Sequence, residues 1–193
     1  MADIETELPD EAVLVQKAKD FDSDTWTTIY RRYYPKIYAY IYRRLEAFSR
    51  QETEDIAANV FLHAVDGIGS FSYRGIPLSA WLFRIAHNQL VDYFRQKGKL
   101  NTQPLIEETL AESEPVEDTT EAILIREELN TALKNLTEEQ RQVALLKFFV
   151  GLSNVEVALI IGKSEGAVKG LQHRALASLR RILEKEDEYG ERL

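Results

Sequence analysis

Apolar residues recur every three or four positions along most of the 193-residue chain and nowhere alternate strictly, a pattern that predicts helices and no strands. A first helical block is expected from Ser23 to about Lys97. Gly67, Gly69 and Gly75, with Pro77, interrupt it and mark a loop. Pro77 suits the first turn of the next helix, where its missing N–H costs nothing. Residues 99–120 hold two prolines, many carboxylates and no aromatic ring. With little to bury, they read as a flexible tether. Beyond it the spacing predicts helices over about 121–135, 137–149, 153–161 and 165–185. Thr137-Glu-Glu-Gln140 and Ser153-Asn-Val-Glu156 fit the capping box, in which the first side chain accepts from a backbone N–H and the fourth reaches back. The predicted fold is all-α: two small helical domains, 23–98 and 121–185, joined by an acidic flexible linker over 99–120. An acidic segment (1–22) precedes them and a short charged tail (186–193) follows.

The stretch from Ser153 to Arg181 reads as a helix-turn-helix. Val155, Ala158 and Leu159 give its first helix an inner face. Gly162 can supply the positive φ of a tight turn, and Ser164 can cap the second helix. Val168, Leu171, Ala175, Leu179 and Ile182 lie at spacings of three and four and should pack inward. Glu165, Lys169, Gln172 and His173 are left near the opposite face, at the N-terminal half, where a recognition helix meets base edges. Lys163, Arg174, Arg180 and Arg181 suit phosphate contacts, which position a protein without reading sequence. An amphipathic hairpin with a solvated basic face fits the same pattern.

In the first block, Ile56, Val60 and Ala64 form an apolar stripe that leaves Glu54, Asp55 and Asn59 elsewhere. Further on, Trp81, Ile85, Asn88 and Asp92 share a stripe, with Arg84, His87 and Arg95 nearby and Phe71 and Tyr73 in the preceding loop. Rings beside cations are what unpaired nucleic acid needs: bases stack on the rings while the cations follow the backbone. A base flipped from its stack could lodge in such a loop. Ordinary core packing accounts for the same aromatics.

The formal net charge is −8, which by itself argues against a polyanionic partner. Its distribution argues otherwise. Residues 1–28 hold 2 basic and 8 acidic groups, and residues 101–128 hold 1 and 9. Residues 29–100 hold 11 basic and 6 acidic groups, and the run from Lys163 to Arg181 has five basic residues against one glutamate. Screening limits charges to a reach of about 8–10 Å, so local clusters decide. The absence of cysteine excludes disulfides, thiolate metal sites and cysteine nucleophiles, and fits the cytoplasm. Three scattered histidines suggest no metal cluster. No nucleophile–base pattern supports a hydrolase built on Glu54, Asp55 and Asp92, and no cofactor is expected.

Taken together, these segments resemble the extracytoplasmic-function (ECF) group of sigma-70 factors, subunits that direct bacterial RNA polymerase to promoters. The resemblance in the first block rests on Tyr30-Arg-Arg-Tyr-Tyr-Pro-Lys-Ile-Tyr38, Glu54-Asp55-Ile56 with Val60-Phe61-Leu62, and Trp81-Leu-Phe-Arg-Ile-Ala86 with Asn88, Asp92 and Arg95. In the second it rests on Leu136-Thr-Glu-Glu-Gln-Arg141, Gly151-Leu-Ser153, Gly166-Ala-Val-Lys169 and Arg174-Ala175. The family usually has Gln-Glu where this chain has Ala58-Asn59, and Thr is common where it has Ala167. The resemblance implies that Glu54, Asp55, Asn59, Phe61 and Leu62 dock on the clamp helices of the polymerase β′ subunit. It assigns the −10 element to Phe71, Tyr73, Arg74, Arg84, Asn88 and Arg95. It assigns the −35 duplex to Lys163, Ser164, Glu165, Gly166, Lys169, Gln172, His173 and Arg174. The implied partners are core RNA polymerase (β′ clamp helices and β flap), promoter DNA and an anti-sigma factor, with no enzymatic activity. A stand-alone helix-turn-helix regulator is the rival reading; it would bind duplex DNA without polymerase, as a dimer on a palindrome.

Overall fold

The computed structural model describes residues 11–45, 50–72, 76–99 and 129–190. The first half comprises α1 (Glu11–Lys19), α2 (Ser23–Leu45), α3 (Arg50–Gly67), one 3-10 turn (Ile68–Ser70) and α4 (Leu78–Lys99). The second comprises α5 (129–134), α6 (Glu138–Ala144) with a π-helical turn (Leu145–Phe149), α7 (Asn154–Ile161) and α8 (Glu165–Gly190). No strand occurs among the described residues. The expected all-α class and its two helical halves are found. The linker expected over 99–120 lies outside the described residues, apart from Lys99 at the end of α4.

The first half packs around α2. Ile29, Tyr33, Ile37, Ile41 and Leu45 recur every four residues and are all buried. They form one stripe facing α3 and α4, from which Val60, Ala64, Leu82, Phe83, Ala86 and Leu90 come to meet them. Tyr40 is wholly buried, its ring centre 5.5 Å from that of Phe83 in an edge-to-face contact. Helix α1 was not expected from the spacing, which starts the block at Ser23. Its Leu14, Val15 and Ala18 enter the core, and Trp26 Nε1–H donates to the Ala18 carbonyl at 3.1 Å. Glu11 also accepts from the Leu78 N–H at 2.6 Å. A carboxylate from one end of the half thus satisfies an orphan donor at the start of α4, where it also complements the helix dipole.

Both capping boxes form. Thr137 Oγ1 accepts from Gln140 N at 3.4 Å and Gln140 Oε1 accepts from Thr137 N at 3.2 Å. Ser153 and Glu156 reciprocate at 3.2 and 2.6 Å. Gly162 closes α7 in the left-handed region (φ 67°) with its N–H on the Ala158 carbonyl, and Ser164 Oγ accepts from Ala167 N at 3.2 Å to start α8. The helix-turn-helix is therefore present as expected, but the inner face of α7 is not. Val157, Ala158 and Ile160 are buried, whereas Val155 and Leu159 are 53% and 43% exposed. Asn-Val-Glu-Val-Ala-Leu-Ile-Ile is apolar nearly all round, so spacing alone cannot fix its rotation.

The two halves touch. Helix α7 lies against α4, and the buried apolar residues of both halves form one continuous cluster. Because the Ser153 cap satisfies a donor that α7 cannot satisfy internally, Ser153→Ala should lower stability by about 1 kcal/mol, read as a reduced melting temperature. An unchanged melting temperature would mean that the box contributes nothing.

Candidate nucleic-acid and polymerase-docking surfaces

Helix α8 carries the first surface. Val168, Leu171 and Ala175 are buried, so the opposite side must face water. Glu165, Gly166, Lys169, His173 and Arg174 are exposed there, and Gln172 is half-buried. Lys169 Nζ pairs with Glu165 at 2.8 Å, one turn back, and exposed Lys163 pairs with Glu139 at 2.7 Å. Such exposed pairs are worth little and yield easily to a phosphate. A Cβ at Gly166 would meet nothing within 4 Å, so packing does not require the glycine; its effect is a flat patch that another backbone could approach. At Gly170 a Cβ would lie 3.3 Å from Arg174 Nη1, where the guanidinium folds back along the helix.

The second surface runs along α3 and the adjoining edge of α2. Asp55, Asn59 and Leu62 are exposed, Leu62 at 62%. Glu54 is half-exposed and pairs with Arg50 at 2.8 Å. Phe61 is only 7% exposed, because its ring lies 4.8 Å from Tyr30 and 6.1 Å from Tyr34. What faces outward at that point is Tyr30, 44% exposed and stacked on Tyr34 at 4.7 Å. The ladder continues through Tyr38 to Tyr42. The signal was in the sequence as tyrosines at intervals of four, but no docking role was expected for them. Burial, first of all, pushes the Tyr34 and Tyr38 hydroxyls above the ordinary tyrosine range, so both are neutral at physiological pH.

The third surface surrounds the turn before α4. Phe71 is 6% exposed, with its ring 4.9 Å from Trp81. Tyr73 and Arg74 lie outside the described residues. Arg84 is exposed and, with Phe71, Ile76 and Trp81, lines a shallow cavity of about 150 Å³. Asn88 is exposed, and Arg95 is exposed and paired with Asp92 at 2.8 Å. Leu159 and Ile160 of α7 form another wall of the cavity. The sequence offered no sign that the second half reaches this place.

Beside the cavity, charge and polarity cross between the halves. Arg44, 3% exposed, donates from Nη1 to the Tyr40 hydroxyl at 2.9 Å and ion-pairs with Glu138 of α6. Arg141, also buried, bonds the same carboxylate. Gln142 Nε2–H donates to His87 Nδ1 at 2.5 Å, which leaves the ring proton on Nε2. Burial, and next the Arg44 charge, push the His87 pKa down to about 4.

Two family models match the chain: sigma-70 region 2 over residues 29–100 and sigma-70 region 4 over residues 126–179. Among curated proteins, the ECF RNA polymerase sigma factor BldN of Streptomyces coelicolor is 34% identical over 88% of this chain, which spans 64% of BldN's length. RNA polymerase sigma factor YlaC of Bacillus subtilis is 30% identical over 86% of this chain and 95% of its own. Among solved structures, CnrH in complex with the cytosolic domain of CnrY has a TM-score of 0.65 at 24% identity, covering 91% of this chain and 97% of that one. The sigma factor RpoE from Bartonella quintana, in complex with the anti-sigma factor NepR, has a TM-score of 0.68 at 23% identity, covering 86% and 98%. These two share the fold. The two matched regions and the curated relatives define a promoter-directed initiation factor rather than an enzyme, and the chain belongs to the ECF group of the sigma-70 family. Among the described residues no helix is long and apolar enough to cross a membrane.

His87 sets a pH dependence. Its folded pKa lies below the unfolded value of about 6.5, so the stability it contributes is present above pH 6.5 and is lost as pH falls towards 4. An NMR titration should place the His87 transition near pH 4, and the wild-type melting temperature should fall from pH 6.5 to 4 more steeply than that of His87→Gln. A His87 midpoint near 6.5 would mean that the ring is not buried in solution.

Proposed function

We propose that the chain acts in the bacterial cytoplasm by binding core RNA polymerase and bringing it to promoters with −35 and −10 elements. The observation that carries this reading is that each family-matched half keeps a separate polar surface outside a buried apolar face. In the first half, Asp55, Asn59 and Leu62 would meet the β′ clamp helices. Tyr30 would extend that contact as an amphipathic ring, supplying contact area with few side-chain rotamers to fix. The β flap would take the second half. An anti-sigma factor is a further proposed partner, carried by the family resemblance.

In the second half, α8 would enter the major groove of the −35 duplex. Lys169 suits the acceptors of guanine and Gln172 the donor–acceptor edge of adenine. Lys163 and Arg174 would bond phosphates and set register without reading bases. At the −10 element, the cavity by Phe71, Trp81 and Arg84 would hold a flipped non-template base, with Asn88 contacting the strand. Extruding a base costs a few kcal/mol. Stacking of about 1–3 kcal/mol per base offsets much of that, so opening follows from capture, without ATP. Since Phe71 is buried beside Trp81, its part is to shape the cavity, and the exposed Asn88 is the cleaner probe of strand contact. The catalytic chemistry belongs to core polymerase.

The reading predicts separable functions. Lys169→Glu with Arg174→Glu replaces two attractive charges by repulsive ones. Two contacts at about 1–3 kcal/mol each correspond to at least a tenfold loss of −35 duplex binding. Co-elution with core polymerase should be unchanged. Gel-shift and gel-filtration assays of one preparation measure both, and joint loss of the two activities would contradict the division of labour.

A further inference from the structure

Within the first half, the cavity assigned above to a −10 base has two walls, and they come from different elements. Ser70, Phe71 and Ser72, at and just after the 3-10 turn, form one. Ala80, Trp81 and Arg84 of α4 form the other. A binding site works only while its walls are held to within about 0.5 Å of the productive geometry. The walls meet through the rings of Phe71 and Trp81, with centres 4.9 Å apart. Apolar contact has no direction, so rings alone leave the spacing loose. A hydrogen bond has direction as well as length.

Helix α1 reaches both walls. Its Leu14, Val15 and Ala18 sink into the core, and the helix touches α2 and the 3-10 turn. The Trp26 indole pins its last turn by donating to the Ala18 carbonyl at 3.1 Å. At its other end, Glu11 Oε1 accepts from the N–H of Leu78, the first residue of α4, at 2.6 Å.

That bond answers a need that α4 does not meet locally. The Pro77 carbonyl accepts the first bond of the helix, from the Trp81 N–H at 3.3 Å, so Pro77 stands at the cap position. Serine, threonine, aspartate or asparagine there would accept from the first-turn N–H groups, whereas proline has no side-chain acceptor. The acceptor comes instead from 67 residues away in the sequence. A local cap would serve the helix as well. A remote one also ties the start of α4 to α1.

We propose that Glu11 is a positioning residue for −10 recognition. Through the Leu78 N–H it holds the start of α4 to α1, and so to the 3-10 turn, which fixes the spacing of the cavity walls. It touches no DNA in this role. The proposal rests on the promoter-factor reading, and it gives a part in that reading to a helix that lies ahead of the family-matched residues 29–100.

Three variants separate the link from the cap. Glu11→Ala removes both. Glu11→Ala with Pro77→Ser restores a cap within α4 but not the link to α1. Glu11→Gln keeps an acceptor oxygen. Each would be assembled with core polymerase on a promoter selected with the wild type, with 2-aminopurine in the −10 element to report opening, well below every variant's melting temperature. Glu11→Ala should open the promoter about fivefold more slowly, or worse, because a displaced wall degrades the pocket. The double variant should stay as slow while its melting temperature returns towards that of the wild type. Glu11→Gln should open at close to the wild-type rate. All three should bind −35 duplex and core polymerase as the wild type does. Wild-type opening by Glu11→Ala, or recovered opening in the double variant, would overturn the proposal, the carboxylate then being a cap and nothing more. Equal loss of opening, −35 binding and polymerase binding would overturn it too. Should Glu11→Ala alone fail to fold, the double variant and Glu11→Gln carry the comparison. In NMR spectra of the free chain, the Leu78 N–H should shift upfield and exchange faster in Glu11→Ala; an unchanged signal would show that the link is absent in solution. If the wild type fails to bind polymerase, the promoter-factor reading falls, while the Leu78 signal still decides whether the link exists.

Discussion

Arg44 is a guanidinium with 3% of its surface in contact with water, and its neighbourhood is arranged around that fact. A buried, permanently charged group needs a partner within the protein. Arg44 has Glu138, at the first turn of α6, and the hydroxyl of Tyr40, whose ring is itself wholly buried against Phe83 of α4. One side chain thus fixes α2, α4 and α6 relative to one another. Arg141 competes for the same carboxylate; its burial, and next the Arg44 charge, lower its pKa. Two cations on one half-exposed carboxylate make a register device rather than a strong adhesive, since desolvation takes back most of the attraction. The halves are aligned in one way without being welded.

The functional surfaces follow from what remains after burial. The inner stripes of α3 and α8 are spent on packing, so Asp55, Asn59 and Leu62 on one helix and Glu165, Lys169 and His173 on the other must face outward. Local helix geometry produces both surfaces, each within its own half. The cavity by Phe71 and Trp81 is different, because its walls come from both halves and its accessibility depends on how they sit. Affinity for a whole promoter would come from joining two modest sites once the chain is spread, through their effective concentration.

Much of this was legible in the sequence where the signal is local. Thr137 with Gln140, Ser153 with Glu156, and Gly162 announced helix ends that the backbone geometry bears out. The inward stripe of Val168, Leu171 and Ala175 placed the outward residues of α8. Non-local features were not legible. Helix α1 is nine residues long, and it holds its place through Trp26 and Leu78, which lie elsewhere in the chain. The rotation of α7 was undetermined because a helix apolar on every side has no preferred face until its neighbours are known. Phe61 and Phe71 look like contact residues by type, yet ring packing with Tyr30 and Trp81 buries them. An arginine pair at a helix end, Arg43-Arg44, reads as solvated surface; only the approach of α6 turns one of them into a buried ion.

The most direct test of the account is gel filtration of the purified chain with bacterial core RNA polymerase, with Asp55→Arg run beside it. Asp55 is exposed on α3, so the variant should fold as the wild type does. The account predicts that the wild type co-elutes with polymerase and that the reversed charge weakens the complex. A wild-type chain that elutes apart from polymerase, as a stable homodimer that binds duplex DNA alone, would contradict it and point to a stand-alone regulator.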